Sequence, residues 1–386
     1  MLNIQKGDQE LIRTQNRALV INLLRLEGPL SRTHISTRTG LAPSALTRLV
    51  RDLLDEGLVL ETGKSTSQGG RPAVLISLNE DYAVTLGIKV ERRRLLGANV
   101  DLGGRILGRS EVSFDHEPSP EDVIEGVDTI AAALSPSHCL GVGVSISGFV
   151  DPLTGTDLYS PILHWENVSL RDPLQERLDL PVWIENDVNA LALAERWYGA
   201  GRAFRHFVCI TVGEGIGAGV VIGGEIYRGA FGGAGELGHT TIDPDGPVCR
   251  CQERGCLEVY ASDQFLREEA QRLGYGDINN LAVAARDGCG DARDAFQRMG
   301  RYLGFGAKNL VNLLNPEALV LGGERMEAAD LFLKPLQEEV RRHSFPAEAA
   351  QLQIVPAELG TDGFLVGPAT LVAADFFRVP AQGEVT

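Results

Sequence analysis

Aromatic side chains make up only 6% of the 386 residues, with three tryptophans among them. No apolar run approaches the roughly 20 residues that cross a bilayer, so a helical membrane protein is excluded. The polar N-terminus, MLNIQKGDQE, lacks the apolar core of a signal peptide, and the expected location is cytoplasmic. Six cysteines are too few for a disulfide-held scaffold at this length, and a reducing compartment disfavours one. Three of them, Cys139, Cys209 and Cys289, are scattered and read as small packing residues. Basic residues are short as well, 36 Lys+Arg against 52 Asp+Glu, and the net charge of −16 argues against nucleic acid for the chain as a whole. The deficit is uneven. Residues 1–80 hold 10 Lys+Arg and 8 Asp+Glu, so a net +2 segment precedes a body at −18. Phosphate attraction acts over about a Debye length, roughly 10 Å, and a locally basic module can therefore bind DNA on an acidic protein.

What is present reads as two or three domains. Residues 12–26 place Leu19, Val20, Leu23, Leu24 and Leu26 at helical spacing, and Glu27-Gly28-Pro29 ends the run. Ser31 suits the N-cap of a short helix that stops at Gly40. Pro43 opens a third helix with Leu46, Leu49, Val50, Leu53 and Leu54 on one face. Three helices with a short turn before the third predict a helix-turn-helix. Residues 58–78 read as two strands around a Gly/Ser loop, a wing. Ser44, Thr47, Arg48 and Arg51 fall on the polar side of the third helix, where a recognition helix meets the major groove. Arg71, beside Pro72 at the wing's return, is placed to reach a minor groove or phosphates. The plainer alternative is a solvated helix face.

From Ala83 the texture is α/β. VTLGIKV, LLGANVDLGG and RILGRSEVSF read as strands, SPEDVIEGVDTIAAAL as a helix, and LGVGVSISGFVD as a buried strand running into a loop. A helix over 174–180, a strand in PVWIEND and a helix in VNALALAERWYG follow. HFVCITVGEGIGAGVVIGGEIYRG restarts a β-rich half, whose later strands lie in LVLGGE and QLQIVPAEL.

The stretch 235–258, GELGHTTIDPDGPVCRCQERGCLE, concentrates the chemistry. His239, Cys249, Cys251 and Cys256 form a Cys₃His set, the donors zinc takes in a closed tetrahedral site. Three unpaired thiols in a turn-rich loop are the bland alternative. G-E-x-G-H followed by C-x-C-x-x-x-G-C-L-E resembles the signature of the ROK family, which comprises sugar kinases and sugar-responsive transcriptional repressors. The resemblance implies a structural zinc on His239, Cys249, Cys251 and Cys256, and a monosaccharide held by Glu236, His239 and Glu258. One imidazole nitrogen on the metal leaves the other for a hydroxyl. Gln252 stands where many members carry glycine. The likeness covers nearly the whole chain, including G-G-R-P at the wing's return. It implies an α/β, actin-like (ribonuclease H-like) two-lobed sugar-kinase fold preceded by an N-terminal winged helix-turn-helix. The corresponding domains are 1–80, 81–195 and 196–386, with the last helix returning to the first lobe.

In ROK kinases an E-N-D-x-N motif supplies an asparagine that holds the sugar and an aspartate that acts as general base. These map to Asn186 and Asp187. On chemistry alone the pair can also serve as a helix N-cap. GVSISGFVD resembles the sugar-side loop, with Ser147 in place of the usual proline. The kinases open their first strand with D-x-G-G-T, whose glycines let backbone N–H groups approach phosphates. Here Lys89-Val90-Glu91-Arg92-Arg93 stands instead, and Glu91 is expected to repel phosphate. A second loop, residues 212–217, keeps its glycines but adds Glu214, and LNPEALVLGG resembles the adenosine-side segment. Sugar side kept, phosphate side broken and DNA module added imply a repressor, not an enzyme, in which Asp187 is a vestige of the kinase base. Operator DNA, a monosaccharide effector and a homodimer or homotetramer follow. A sugar kinase with a fused DNA-binding domain, and a repressor controlled by a partner protein or a sugar phosphate, stay as alternatives.

Overall fold

Three helices open the chain, α1 (Gln9–Glu27), α2 (Arg32–Thr39) and α3 (Pro43–Glu56). The computed structural model describes residues 9–64, 72–135, 137–343 and 351–379. The Ser31 hydroxyl accepts the His34 N–H at 3.2 Å, and Gly40, at φ 71°, ends α2. Pro43 occupies the first turn of α3, which Gly57 ends at φ 82°. Strands β1 (Leu30–Ser31), β2 (Val59–Lys64) and β3 (Val74–Leu78) form an antiparallel sheet in the order β1-β3-β2, the expected wing. Arg71 lies outside the described residues.

The first lobe contains β4 (Val84–Glu91), β5 (Arg94–Asp101), β6 (Ile106–Ser113), α4 (Pro120–Leu134) and β7 (Cys139–Ile146). It continues through β8 (Phe149–Asp151), β9 (Thr156–Ser160), β10 (Trp165–Ser169), α5 (Arg171–Leu178), β11 (Val182–Asn186) and α6 (Asp187–Tyr198). Its main sheet runs β11-β7-β4-β5-β6, with β7 parallel to both β4 and β11. The loop expected after β7 is instead a small sheet, β10-β9-β8. Its strands are too short and too broken by turns to show a period, and tertiary burial of Val150, Leu163 and Trp165 holds them. The helix expected at 174–180 starts earlier and stops at Leu178, because Asp179 turns left-handed at φ 52°.

The second lobe holds β12 (Phe207–Val212), β13 (Ile216–Ile222), β14 (Glu225–Ile226), α7 (Glu258–Ala261), α8 (Asp263–Arg272), α9 (Ile278–Arg286) and α10 (Gly290–Leu314). After these come β15 (Ala318–Gly322), α11 (Ala329–His343), β16 (Gln353–Pro356) and α12 (Gly363–Phe376). The sheet order is β14-β13-β12-β15-β16. Each sheet has its own buried cluster, one around Val142, Val144 and Ile184, the other around Val208, Phe296 and Phe332. Helix α12 lies on β4 and β7 of the first lobe. It comes so close that a methyl at Gly87 or Gly143 would overlap the Leu365 or Pro368 carbonyl. Helix α6 packs on α12 and on β13, and so touches both lobes. A third cluster joins Val20, Ile21 and Leu24 of α1 to Leu102, Ala373 and Phe377 of the body.

Candidate effector, metal and DNA sites

Residues 240–257 form a turn-rich loop tied by bridges from Thr241 to Cys256 and from Val248 to Arg254. Its tightest turn has Gln252 N–H donating to the Cys249 carbonyl at 2.8 Å, with Gln252 at φ 74°. The glycine that the family often carries here therefore has a local reason: this backbone conformation favours it. The turn brings Cys251 Sγ within 3.6 Å of Cys256 Sγ, and Cys249 Sγ within 3.7 Å of His239 Nδ1. All four ligand atoms lie within 4.8 Å of one another, the only such group of three or more among the described residues. A tetrahedron with metal–sulfur bonds of about 2.3 Å has edges of about 3.7 Å. Two of the pairs already stand at that spacing, and the group could hold a metal ion. His239 Nδ1 faces them, leaving Nε2 for another partner.

The carboxylates singled out by the sequence converge beside this loop. Asp187 begins α6, Glu236 precedes a short turn at Leu237–His239, and Glu258 begins α7. Burial pushes Asp187 above the usual carboxylate range, Lys89 opposes the shift and Glu324 adds to it. Glu236 is pushed up to about 7, first by burial and then by the negative charges of Asp187 and Glu258, against Arg250. These groups share one field.

Asn186 does serve as the cap of α6. Its Oδ1 accepts the N–H groups of Val188 and Asn189, and its Nδ2 donates to the Gly148 carbonyl at 3.0 Å. One amide hydrogen remains for a ligand.

Glu258 is bound more fully than the sequence suggests. Arg250 grips both its oxygens at 2.7 Å, and Ile216 N–H adds a bond of 3.2 Å. Sequence reasoning passed over Arg250, although its place between Cys249 and Cys251 fixes its backbone to the Cys₃His loop. It also missed that Arg228 donates to buried Glu185 at 2.7 Å.

On the first lobe, Arg92 and Arg93 form the two-residue turn between β4 and β5. Lys89 Nζ sits 3.7 Å above the Phe364 ring, 3.5 Å from Glu91 and 3.8 Å from Glu324. Glu91 is bonded to Arg94 as well, so its charge is more neutralised than the sequence implied. Glu324 lies against Gly213 of the second glycine loop, and Glu214 pairs with Arg267 at 2.9 Å.

On the N-terminal module Ser44, Thr47, Arg48 and Arg51 are all exposed on α3. The Thr47 hydroxyl bonds back to the Pro43 carbonyl at 2.8 Å. Arg13, Arg17, Arg32 and Arg38 are each paired with an acid. Arg48 and Arg51 form no ion pair among the described residues, which leaves two free cations on one face.

A winged helix-turn-helix set on a two-sheet body, with buried carboxyl groups gathered beside a Cys₃His set, defines a DNA-binding regulator built on a sugar-kinase-like fold. The chain belongs to the ROK family: the family's profile matches residues 85–375, and a profile for winged helix-turn-helix DNA-binding segments matches residues 13–59. The xylose repressor of Bacillus spizizenii (strain ATCC 23059 / NRRL B-14472 / W23) is 32% identical over 385 residues, covering 97% of this chain and 98% of its own. The crystal structure of a ROK family transcriptional regulator, described as a homolog of the E. coli MLC protein, matches with a TM-score of 0.82 at 30% identity, over 95% of this chain and 97% of that one. A ROK family glucokinase from Streptomyces griseus, solved with glucose and AMPPNP, matches with a TM-score of 0.67 at 33% identity, over 75% of this chain and 99% of the kinase. The kinase matches only part of the chain, whereas the regulators match nearly all of it. Within the family this is a transcriptional repressor.

Proposed function

We propose that the repressor binds operator DNA through α3 and the wing, and that a monosaccharide in the cleft controls this binding. The sugar contacts are Asn186, Asp187, Glu236, His239 and Glu258. A structural zinc on His239, Cys249, Cys251 and Cys256 orders the loop that carries three of them. The observation that supports the reading is His239, whose Nδ1 stands 3.7 Å from Cys249 Sγ, so that a metal on Nδ1 would leave Nε2 for a sugar hydroxyl. Ser44, Thr47, Arg48, Arg51 and Arg71 contact DNA. Domains at 1–80, 81–195 and 196–386, with α12 on the first lobe, assemble into a homodimer or homotetramer in the cytoplasm; paired half-sites motivate the dimer. No helix among the described residues is long and apolar enough to cross a membrane.

The protein is not a kinase. The ion pair of Lys89 with Glu324 at 3.8 Å, beside the second glycine loop, supports a phosphate cradle that is lost. A free sugar is favoured over a sugar phosphate, because Asp187, Glu236, Glu258 and Glu324 surround the cleft with carboxyl groups.

Thermal-shift titration with D-xylose, D-glucose and N-acetyl-D-glucosamine tests this reading, since a ligand at 100 times its Kd stabilises by about 2.7 kcal/mol. Xylose comes first because of the named relative. Elemental analysis of protein purified without added metal should find one zinc per chain. Asp187→Asn should weaken the sugar response by about 1–3 kcal/mol, as expected for a hydrogen bond to a charged group. With ATP, magnesium and the bound sugar, no sugar phosphate should form. Enzymatic turnover that is lost in Asp187→Asn would overturn the repressor-only reading.

A further inference from the structure

Helix α6 starts at the candidate sugar site, with Asn186 as its cap and Asp187 in its first turn. Its twelve residues span about 18 Å at 1.5 Å per residue. Along that length Val188 and Ala192 meet β13 of the second lobe, while Ala190 and Leu191 meet α12 at Gly363 and Gly367. Helix α12 in turn lies on β4 and β7 of the first lobe. These two helices therefore bridge the lobes, and any change in cleft width alters how they sit on each other.

Their far ends meet. Trp197 closes α6 and Phe377 follows α12, with ring centroids 5.9 Å apart. Helix α1 of the DNA-binding module is seated on this pair. The Arg25 guanidinium lies 3.8 Å from the centroid of Trp197 and 5.6 Å from that of Phe377. Asn22 Nδ2 donates to the Phe377 carbonyl at 2.5 Å. Arg25 forms no ion pair among the described residues, and its Nε is buried without a hydrogen-bond partner. Burial pushes it down to about 10, with Arg196 and Arg202 acting in the same direction and Tyr198 against. A carboxylate would have held this cation more firmly. Two rings, one on α6 and one at the end of α12, hold it instead, and the attraction depends on where those rings stand.

We propose that Arg25 is the positioning residue through which the state of the cleft reaches the DNA-binding module. Motion of α6 against α12 shifts Trp197 relative to Phe377, and Arg25 with Asn22 passes that shift to α1. Because α1 shares one buried cluster with α2 and α3, the recognition helix turns with it. The proposal rests on the sugar-responsive reading above and adds the route.

The test is hydrogen exchange of the full chain with and without the sugar that shifts its melting, taken from D-xylose, D-glucose and N-acetyl-D-glucosamine. In the wild type, that sugar should change exchange at α1 amides between Ala18 and Leu26 at least fivefold. Arg25→Met keeps the packed stem and removes the charge. It should bind the sugar within about twofold of wild type yet lose the α1 response, and Arg25→Lys should regain part of it. Trp197→Leu, made from the other side, should lose the response in the same way. A merely structural Arg25 would raise exchange equally in both states and leave the sugar-induced difference intact. That result, or a wild-type α1 indifferent to a sugar that binds, overturns the route while leaving sugar binding in place. If none of the three sugars binds, the functional reading falls, and the route with it.

Discussion

Gly255 holds φ at 66° directly before the last cysteine of the Cys₃His loop, and a methyl there would overlap the Asp243 carbonyl. Gly255→Ala should cost about 2–4 kcal/mol, from overpacking together with left-handed strain, and should deplete bound metal. Gln252→Gly, three residues earlier, should do the reverse and raise stability by up to about 1 kcal/mol. Melting temperature and metal content of the two variants check both signs. Asp157 is a different kind of residue. It is fully buried on β9 between Val150 and Val168, and the backbone hydrogen bond from Tyr159 does not offset that burial. Burial raises it from 3.8 to about 7. The folded state thus holds a proton that the unfolded chain releases near pH 4. Stability present below that pH is lost as pH rises through about 7. Asp157→Asn should flatten the profile and stabilise the protein by about 1–3 kcal/mol at pH 8, as read from denaturant titrations at pH 5 and pH 8. Equal pH dependence in the two proteins would show that the carboxyl is not buried in solution.

At the scale of elements, α3 is the clearest case. Leu46, Val50 and Leu53 bury one side, and Ser44, Thr47, Arg48 and Arg51 are left on the surface. Arg48→Ala should weaken operator binding by about 1–3 kcal/mol if it reads a base edge, or lower the salt slope by about 1 if it meets a phosphate. Sugar affinity should not change. Gel-shift titrations at several salt concentrations separate these outcomes, and no effect on either would remove α3 as the reading helix. This element was legible in the sequence because its caps and its apolar stripe are both local. The small sheet β8–β10 was not, because its strands are too short to show a period and their apolar residues bury into a cluster built by elements distant in sequence, such as Leu86 and Val182. The Asn186 cap was legible only as one of two alternatives, since capping and ligand contact ask for the same side chain.

Over the whole molecule, charged pairs cross between the lobes on both sides of the candidate sugar site. Lys89 on β4 faces Glu324 after β15, and Glu185 on β11 takes Arg228, which follows β14. The Glu185 side chain is only 3% exposed, so loss of Arg228 leaves a carboxylate with little water and only the Asn186 N–H and the Asn189 amide as donors. Arg228→Met should destabilise by about 1–3 kcal/mol, less than for a fully buried pair because Arg228 is 34% exposed. It should also widen the cleft, seen as a larger radius of gyration by solution scattering. A variant as stable and as compact as wild type would show that the pair does not hold the lobes together.

The sequence alone determined the Cys₃His cluster, the helix-turn-helix and the order of most strands in both lobes. Each depends on spacing along the chain, whether three thiols within eight residues, a 3.6-residue stripe or a capping residue. The tertiary structure decided what these parts do to one another. It placed Arg250 on Glu258, Lys89 beside Glu324, and Arg25 over rings on α6 and at the end of α12. Those partners are separated by 8 residues in the first pair, and by 235, 172 and 352 in the others. No local pattern encodes such pairings, because they follow from how two sheets and the helices between them stack.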